Sequence, residues 1–228
     1  GQTGATVSNQ PGAARWLRVR RPLPQPAPLV SIIVPTRDRL DLFQRCAEGV
    51  LHGTDYPAIE FVVVDNDSVE PETLAFFATL RADPRVRILA APGPFNFSAL
   101  MNRAVAESRG EILLLLNNDI SMIGGDWLSE MVSHAVRPNV GAVGARLLYP
   151  DGAVQHAGVV LGIGGDQRVA GHLHVGAPGN HAGYQGHLAL ARNVSAVTAA
   201  CLAMRRSIWD EVGGMDAERL TVAFNDVD

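Results

Sequence analysis

From Leu29 onward the chain alternates short apolar runs with segments whose apolar residues recur every three or four positions. The runs are LVSIIVP at 29–35, Ile59–Val64, Val86–Ala90 and Ile112–Leu116. Between them lie helical stripes: Phe43, Cys46, Ala47, Val50 and Leu51; Leu74, Phe77 and Ala78 after Pro71; Leu100, Met101, Ala104 and Val105 after Asn96 or Ser98. The spacings i, i+3, i+4, i+7 and i+8 predict amphipathic helices, and the unbroken runs predict strands covered on both faces. Breaks fall where elements should end, at Pro35, His52-Gly53, Asp83-Pro84 and Gly110. Strands alternating with helices imply right-handed crossovers and a mostly parallel sheet, so the fold class is α/β.

A further helix is predicted over Trp127, Leu128, Met131, Val132, Ala135 and Val136, capped by Asp126 and ended by Pro138. Asp38 is the expected cap of the first helix. Strands are expected over 140–149 and 193–204, then a short helix capped by Ser207 and stopped by Gly213-Gly214.

Two of the apolar runs end in clustered side-chain oxygens. Ile112–Leu116 runs into Asn117, Asn118 and Asp119, and Phe61–Val64 runs into Asp65, Asn66, Asp67 and Ser68. Ligands of open α/β sheets bind outside the carboxyl ends of the strands, so both clusters belong where a hard cation and a phosphate would sit. These strands are expected to be neighbours. The competing reading is that each aspartate caps a following helix. Magnesium or manganese takes one or two carboxylates and completes its shell with phosphate and water. Asp119 offers the carboxylate, Asn117 and Asn118 can reach a ribose or phosphate, and Asp65 can accept from a base N–H.

Composition narrows the chemistry. The 228 residues and 47% hydrophobic content support a sizeable core, in one large domain or two small ones. No run reaches the roughly 18 apolar residues of a bilayer span, and residues 1–28 lack the apolar core expected of a signal peptide. The expectation is a cytoplasmic protein, with any membrane association peripheral and at the inner face of the cell membrane. A net charge of −4 argues against non-specific nucleic-acid binding. All 19 basic residues are arginine, which excludes Schiff-base and P-loop lysine chemistry. GxGxxG and GxxxxGK[ST] are both absent, so phosphate would be held by a metal rather than by a glycine cradle. Cys46 and Cys201 are too few and too far apart for a disulfide framework or zinc site, and read as buried small hydrophobes.

Residues 1–28 end in RRPLPQPAP, carry no acid and read as a linker or disordered tail. Their arginines, Arg15, Arg18, Arg20 and Arg21, read as solvated. Eight of the 23 glycines fall between Gly162 and Gly186, among His172, His174 and His181, which reads as a long flexible segment. His172-x-His174 could put two imidazoles on one strand face, but no third metal ligand follows at a suitable spacing.

Taken together, SIIVPTRDR at Ser31–Arg39, VVVDNDS at Val62–Ser68, LLLLNND at Leu113–Asp119, and GGMD with NDVD within Gly213–Asp228 resemble the family 2 glycosyltransferases. That resemblance runs from about Leu29 to the last residue and implies the GT-A nucleotide-diphospho-sugar transferase fold. QHAG at Gln155–Gly158 and AGH at Ala170–His172 are most similar to the rhamnosyltransferase-like bacterial subset that builds surface polysaccharide. The implied reaction is inverting transfer of a sugar, rhamnose on the narrower resemblance, from a nucleoside diphosphate sugar to a hydroxyl of a glycan or lipid-linked glycan. By position, Pro35, Thr36 and Arg37 line the nucleotide pocket, with Asp65 at the base and Asp67 beside it. Asn117-Asn118-Asp119 takes the place of the metal-binding Asp-x-Asp motif. Asn225-Asp226 takes that of the Glu-Asp motif, whose aspartate is the general base. Gly214, Met215 and Asp216 would lie beside the acceptor site, although an ordinary helix C-cap accounts for the glycines equally well. His156 is a candidate sugar contact or a structural histidine.

Three departures accompany the match. Asn117 replaces an aspartate, Asn225 replaces a glutamate, and the chain stops two residues after Asp226 where the family continues. The catalytic domain is therefore expected over 29–228, incomplete at its C-terminal end, with other domains in a longer parent. Two alternatives are a sugar nucleotidyltransferase, which PTRDR fits poorly for want of a glycine-rich loop, and a non-catalytic nucleotide-sugar or glycan-binding module of a larger synthase.

Overall fold

The computed structural model describes residues 4–163 and 169–227. The start of the expected N-terminal tail, the centre of the glycine-rich segment and Asp228 lie outside the described residues. The chain forms two compact units: one gathers the chain up to Pro22 with Gly144–Thr198 and Val227, the other Leu23–Val143 with Ala199–Asp226.

In the first unit, Thr6–Gln10 (β1) and Ala13–Arg20 (β2) pair antiparallel. This corrects the expected linker or tail: Leu17, Arg18, Val19 and Arg20 alternate apolar with charged, a period-2 pattern, and Gly12, at φ +69, supplies the turn. The prolines that favour an extended linker begin only at Pro22, apart from Pro11 in the turn itself.

The second unit carries the predicted alternation. In order come Val30–Thr36 (β3), Leu40–His52 (α1), Ile59–Asp65 (β4), Pro71–Leu80 (α2), Val86–Ala90 (β5), Phe97–Glu107 (α3), Ile112–Leu116 (β6) and Trp127–Ala135 (α4). Ala142–Gly144 (β7) follows. The first unit then holds two further antiparallel pairs, Leu147–Leu148 (β8) with Val154–His156 (β9) and Val159–Leu161 (β10) with Ala170–His172 (β11). The chain returns to the second unit as Cys201–Arg205 (β12) and Arg206–Val212 (α5). The sheet order is β5-β4-β3-β6-β12-β7. β5, β4, β3 and β6 are parallel, while β12 runs antiparallel to β6. The strands at 193–204 and 140–149 are shorter than expected, and helix α5 starts at Arg206 without the predicted Ser207 cap.

Burial follows the apolar pattern. Val30, Ile32, Ile33, Val34, Phe61–Val64 and Ile112–Leu116 are buried, and α1 buries the five residues that its stripe singled out. Helix α2 is turned by about one residue from its expected face, burying Thr73, Phe77 and Leu80 while Leu74 stays 44% exposed. Cys46 and Cys201 are both buried and neither is in a disulfide.

One buried carboxylate braces this sheet. Glu60, 1% exposed on β4, accepts hydrogen bonds from Ser31 Oγ at 2.6 Å and from the backbone N–H and Nε of Arg109. Ser31 Oγ in turn accepts from Gly110 N at 2.7 Å. Burial alone would push Glu60 up, but the Arg109 and Ser31 hydrogen bonds and the guanidinium charge outweigh it and hold the group below its ordinary 4.5. A depressed folded-state value means that Glu60 stabilises the fold at neutral pH and that this share is lost as acid titrates it. Glu60→Ala should cost roughly 2–4 kcal/mol in urea denaturation at pH 7, since it strands buried donors. The gap between variant and parent should narrow as the pH falls below the ordinary glutamate value. A gap that stays constant with pH would show that the charge contributes nothing.

Candidate active site

The parallel strands β3, β4 and β6 deliver Thr36, Asp65 and Asn117 to one edge of the sheet, because all three run the same way. The aspartate-bearing strands are not adjacent as expected; β3 lies between β4 and β6. Side chains close that gap. Asn118 Nδ2 donates to Thr36 Oγ1 at 3.0 Å, and Asn66 N donates to Thr36 O at 2.9 Å. Thr36 is thus a buried link between the two clusters, 4% exposed, with its hydroxyl engaged by Asn118. Pro35 is half-buried and Arg37 exposed, with no hydrogen bond or ion pair among the described residues.

The acidic turn after β4 is tied into a network that the sequence did not disclose. Asp65 Oδ1 accepts from Ser68 N at 2.9 Å, leaving Oδ2 without a protein partner among the described residues. Ser68 Oγ accepts from Asp38 N at 2.9 Å. Asp38 Oδ1 accepts from Val69 N and Glu70 N, both at 2.8 Å, so this residue serves the start of α2 rather than capping α1. The reason lies in the backbone: Asp38 and Arg39 have φ of +54 and +53, and Arg39 occupies the α1 N-cap without a side-chain capping bond. Asp67 also sits at positive φ, a conformation that aspartate tolerates better than most, and its Oδ2 accepts from Gly93 N at 2.8 Å. Asn66 Nδ2 donates to Ala91 O and Gly93 O. Asn66 and Asp67 therefore pin the loop after β5, and Asn66 Oδ1 is a buried oxygen without a partner.

On the other side of β3, Asn117 is fixed through its backbone. Its N–H donates to Ala200 O at 3.0 Å and its carbonyl accepts from the Cys46 thiol at 3.6 Å. Burial first, then the negative charge of Asp119, pushes Cys46 up to about 12, so the thiol stays protonated and keeps donating. Asp119 itself is exposed, with no hydrogen bond to the described residues. Among those residues no group of three His, Cys, Asp or Glu side chains gathers into a cage. One exposed carboxylate beside amide oxygens fits magnesium or manganese, which take most of their ligands from phosphate and water.

Asp226 reaches the same edge through the antiparallel strand. Its Oδ2 accepts from Ala199 N at 3.0 Å, and the next residue, Ala200, receives the Asn117 N–H. A strand running opposite to β6 brings its start, rather than its end, to the working edge. Asn225 Nδ2 is buried and without a partner.

Gly214, Met215 and Asp216 lie beyond α5. Gly213, at φ +81, is its left-handed C-cap, so the C-cap reading of the glycines holds; Gly214 N donates to Trp209 O. Asp216 Oδ1 accepts from Glu218 N and Arg219 N. These bonds, the Arg219 one foremost, hold its carboxyl below the usual range. His156 belongs to the first unit, 1% exposed, with Nδ1 3.0 Å from His172 Nδ1 and Nε2 accepting from Gly158 N.

Known proteins agree on the family. Residues 31–213 match the model of Glycosyl transferase family 2. "Uncharacterized protein y4gI" of Sinorhizobium fredii is 56% identical over 202 residues, covering 88% of this chain and 22% of that protein. "O-antigen biosynthesis protein RfbC" of Myxococcus xanthus is 44% identical over 212 residues, covering 92% of this chain and 16% of that protein. The chain thus spans less than a quarter of the length of these curated relatives. Among solved structures, mannosyltransferase PcManGT from Pyrobaculum calidifontis, in complex with GDP-Man and Mn2+, superposes with a TM-score of 0.64 at 20% identity. The superposition covers 91% of this chain and 52% of that one. At that identity the likeness concerns the fold, which is GT-A. With four-fifths of its residues inside the family model and its sheet laid out as the fold requires, the chain belongs to glycosyl transferase family 2.

Proposed function

We propose that this chain catalyses inverting, metal-dependent transfer of a sugar from a nucleoside diphosphate sugar to a glycan hydroxyl in the assembly of a bacterial polysaccharide. The catalytic domain begins at Leu29. One observation supports the reading above all: Asp65 and Asn117–Asp119 at the ends of parallel strands, and Asp226 tied to Ala199, belong to one edge of one sheet.

Asp65 Oδ2 accepts from a base N–H while Oδ1 stays on Ser68. Arg37, exposed and without a protein partner among the described residues, offers a guanidinium to the diphosphate. Asn118 keeps its amide oxygen for the ligand while Nδ2 holds Thr36. Asp119, helped by Asn117 and Asn118, would hold magnesium or manganese; when bound, the ion neutralises charge on the departing diphosphate. The acceptor oxygen attacks the anomeric carbon from the face opposite the leaving group. Its proton passes to the free oxygen of Asp226, the carbon–oxygen bond to the diphosphate breaks, and nucleoside diphosphate leaves. The M. xanthus relative is described as an O-antigen biosynthesis protein and the P. calidifontis neighbour as a complex with GDP-Man and Mn2+, which favours a polysaccharide pathway and a divalent ion. Rhamnose is the donor sugar we favour, on the QHAG and AGH segments.

A panel of dTDP-, UDP- and GDP-sugars, with and without Mn2+, tests the reading by thermal shift and by release of nucleoside diphosphate. One donor class should stabilise the protein only with the metal and be turned over. Binding without turnover in the full-length parent would select a non-catalytic module instead, and no response to any nucleotide would remove the reading.

A further inference from the structure

Helix α3 carries an asparagine, Asn102, in its interior, where asparagine is a poor helix former. Its carboxamide is engaged at both ends by one distant residue: Nδ2 donates to Met215 O at 2.8 Å, and Met215 N donates to Oδ1 at 2.9 Å. The fit leaves no room beside it. A Cβ on Gly214, already at φ +77, would lie 2.7 Å from Asn102 Oδ1 and 3.2 Å from Trp209 Nε1. The same helix makes three more bonds to the following segment. Asn96 Nδ2 donates to Ala217 O at 2.9 Å, Phe97 N to Thr221 O at 2.7 Å, and Ser98 Oγ to Leu220 O. The start of α3 is also where the loop pinned by Asn66 and Asp67 arrives.

We propose that Asn102 is a positioning residue for glycosyl transfer: by holding the Met215 backbone it sets the path of residues 215–221 and so the acceptor side of the cleft that ends at Asp226. The proposal rests on the reading of Asp226 as the base. Asn102 acts through Met215. An isosteric leucine would fill the same space, but it would leave the Met215 N–H and C=O unpaired and the segment free to slide. Because a displacement of about 1 Å can cost on the order of 10²-fold in rate, the bidentate clamp matters to transfer more than to folding.

The test compares Asn102→Ala and Asn102→Asp with the unaltered full-length protein. Aspartate keeps the acceptor for Met215 N–H but has no donor for Met215 O. Three quantities are read: hydrogen exchange across 215–221, affinity for UDP, dTDP and GDP with Mn2+, and release of nucleoside diphosphate to water or to octyl glycosides. Exchange in the segment should rise roughly tenfold, in line with the lost hydrogen bonds. Nucleotide affinity should stay as it was, while transfer to octyl glycosides falls about 10²-fold. Unchanged exchange, or transfer equal to the parent's, overturns the proposal. A parallel fall of nucleotide affinity, transfer and Tm, or failure of both variants to fold, also overturns it, because Asn102 would then be a structural staple. Should the unaltered protein neither bind nor turn over any donor, the proposed function fails, and exchange alone decides whether Asn102 clamps the segment.

Discussion

Asp226→Asn should lower glycosyl transfer by roughly 10²–10⁴-fold, the range that a positioned general base contributes. Asparagine suits this experiment because its amide oxygen can still accept from Ala199 N–H, so the tether that holds the segment survives while the proton acceptor is lost. Nucleotide affinity with Mn2+ should therefore be unaffected and the variant should melt where the parent does. Asp226→Ala removes tether and base together, and should add disorder in the preceding residues without a further large fall in rate. If Asp226→Asn turned over at the parent's rate, the carboxylate would have no part in proton transfer.

Asp119→Ala should have the second large effect. Asp119 is the one carboxylate in the Asn-Asn-Asp cluster, so its loss leaves only neutral oxygens for a divalent ion. Charge stabilisation of a departing diphosphate by a metal is worth several kcal/mol, so transfer should fall by roughly 10²–10⁴-fold. The part of nucleotide binding that depends on Mn2+ should disappear, leaving the part carried by the base and sugar contacts. The reverse change also has a direction. Asn117→Asp adds a second charge beside the first, and should tighten Mn2+ binding, since ligand charge tunes the affinity of oxygen sites. Equal metal dependence in Asp119→Ala and parent would move the ion elsewhere.

The regular part of the fold could be read from the sequence because its cause is local. The α1 stripe from Phe43 to Leu51 is the buried face itself, and the runs at Ile112 and Phe61 are buried along their length. What escaped depends on partners distant along the chain. Nothing near Cys201 says that its strand runs antiparallel to β6, because 55 residues of the first unit intervene between Val143 and Ala199. Asp38 looked like a helix cap from its neighbours, yet its acceptors' partners are 31 and 32 residues away. Asn102 gave no signal beyond an unfavourable residue in a helix. The hairpin at Thr6–Arg20 leaves only the short alternation of Leu17 to Arg20 as a signal, beside prolines that point to an extended linker.

Crowding at Gly110 constrains how this sequence can drift. A methyl group there would stand 2.4 Å from both the nitrogen and the hydroxyl oxygen of Ser31, the serine that links Gly110 to Glu60. A homologue that acquires any side chain at that position must shift the first parallel strand or surrender the serine, and without the serine the buried acid loses a donor that it needs. Glycine, serine and glutamate should therefore be inherited as a set or replaced as a set. The loop that opens the strand leading to Asn117 is thus tied, through selection, to residues that never meet a substrate.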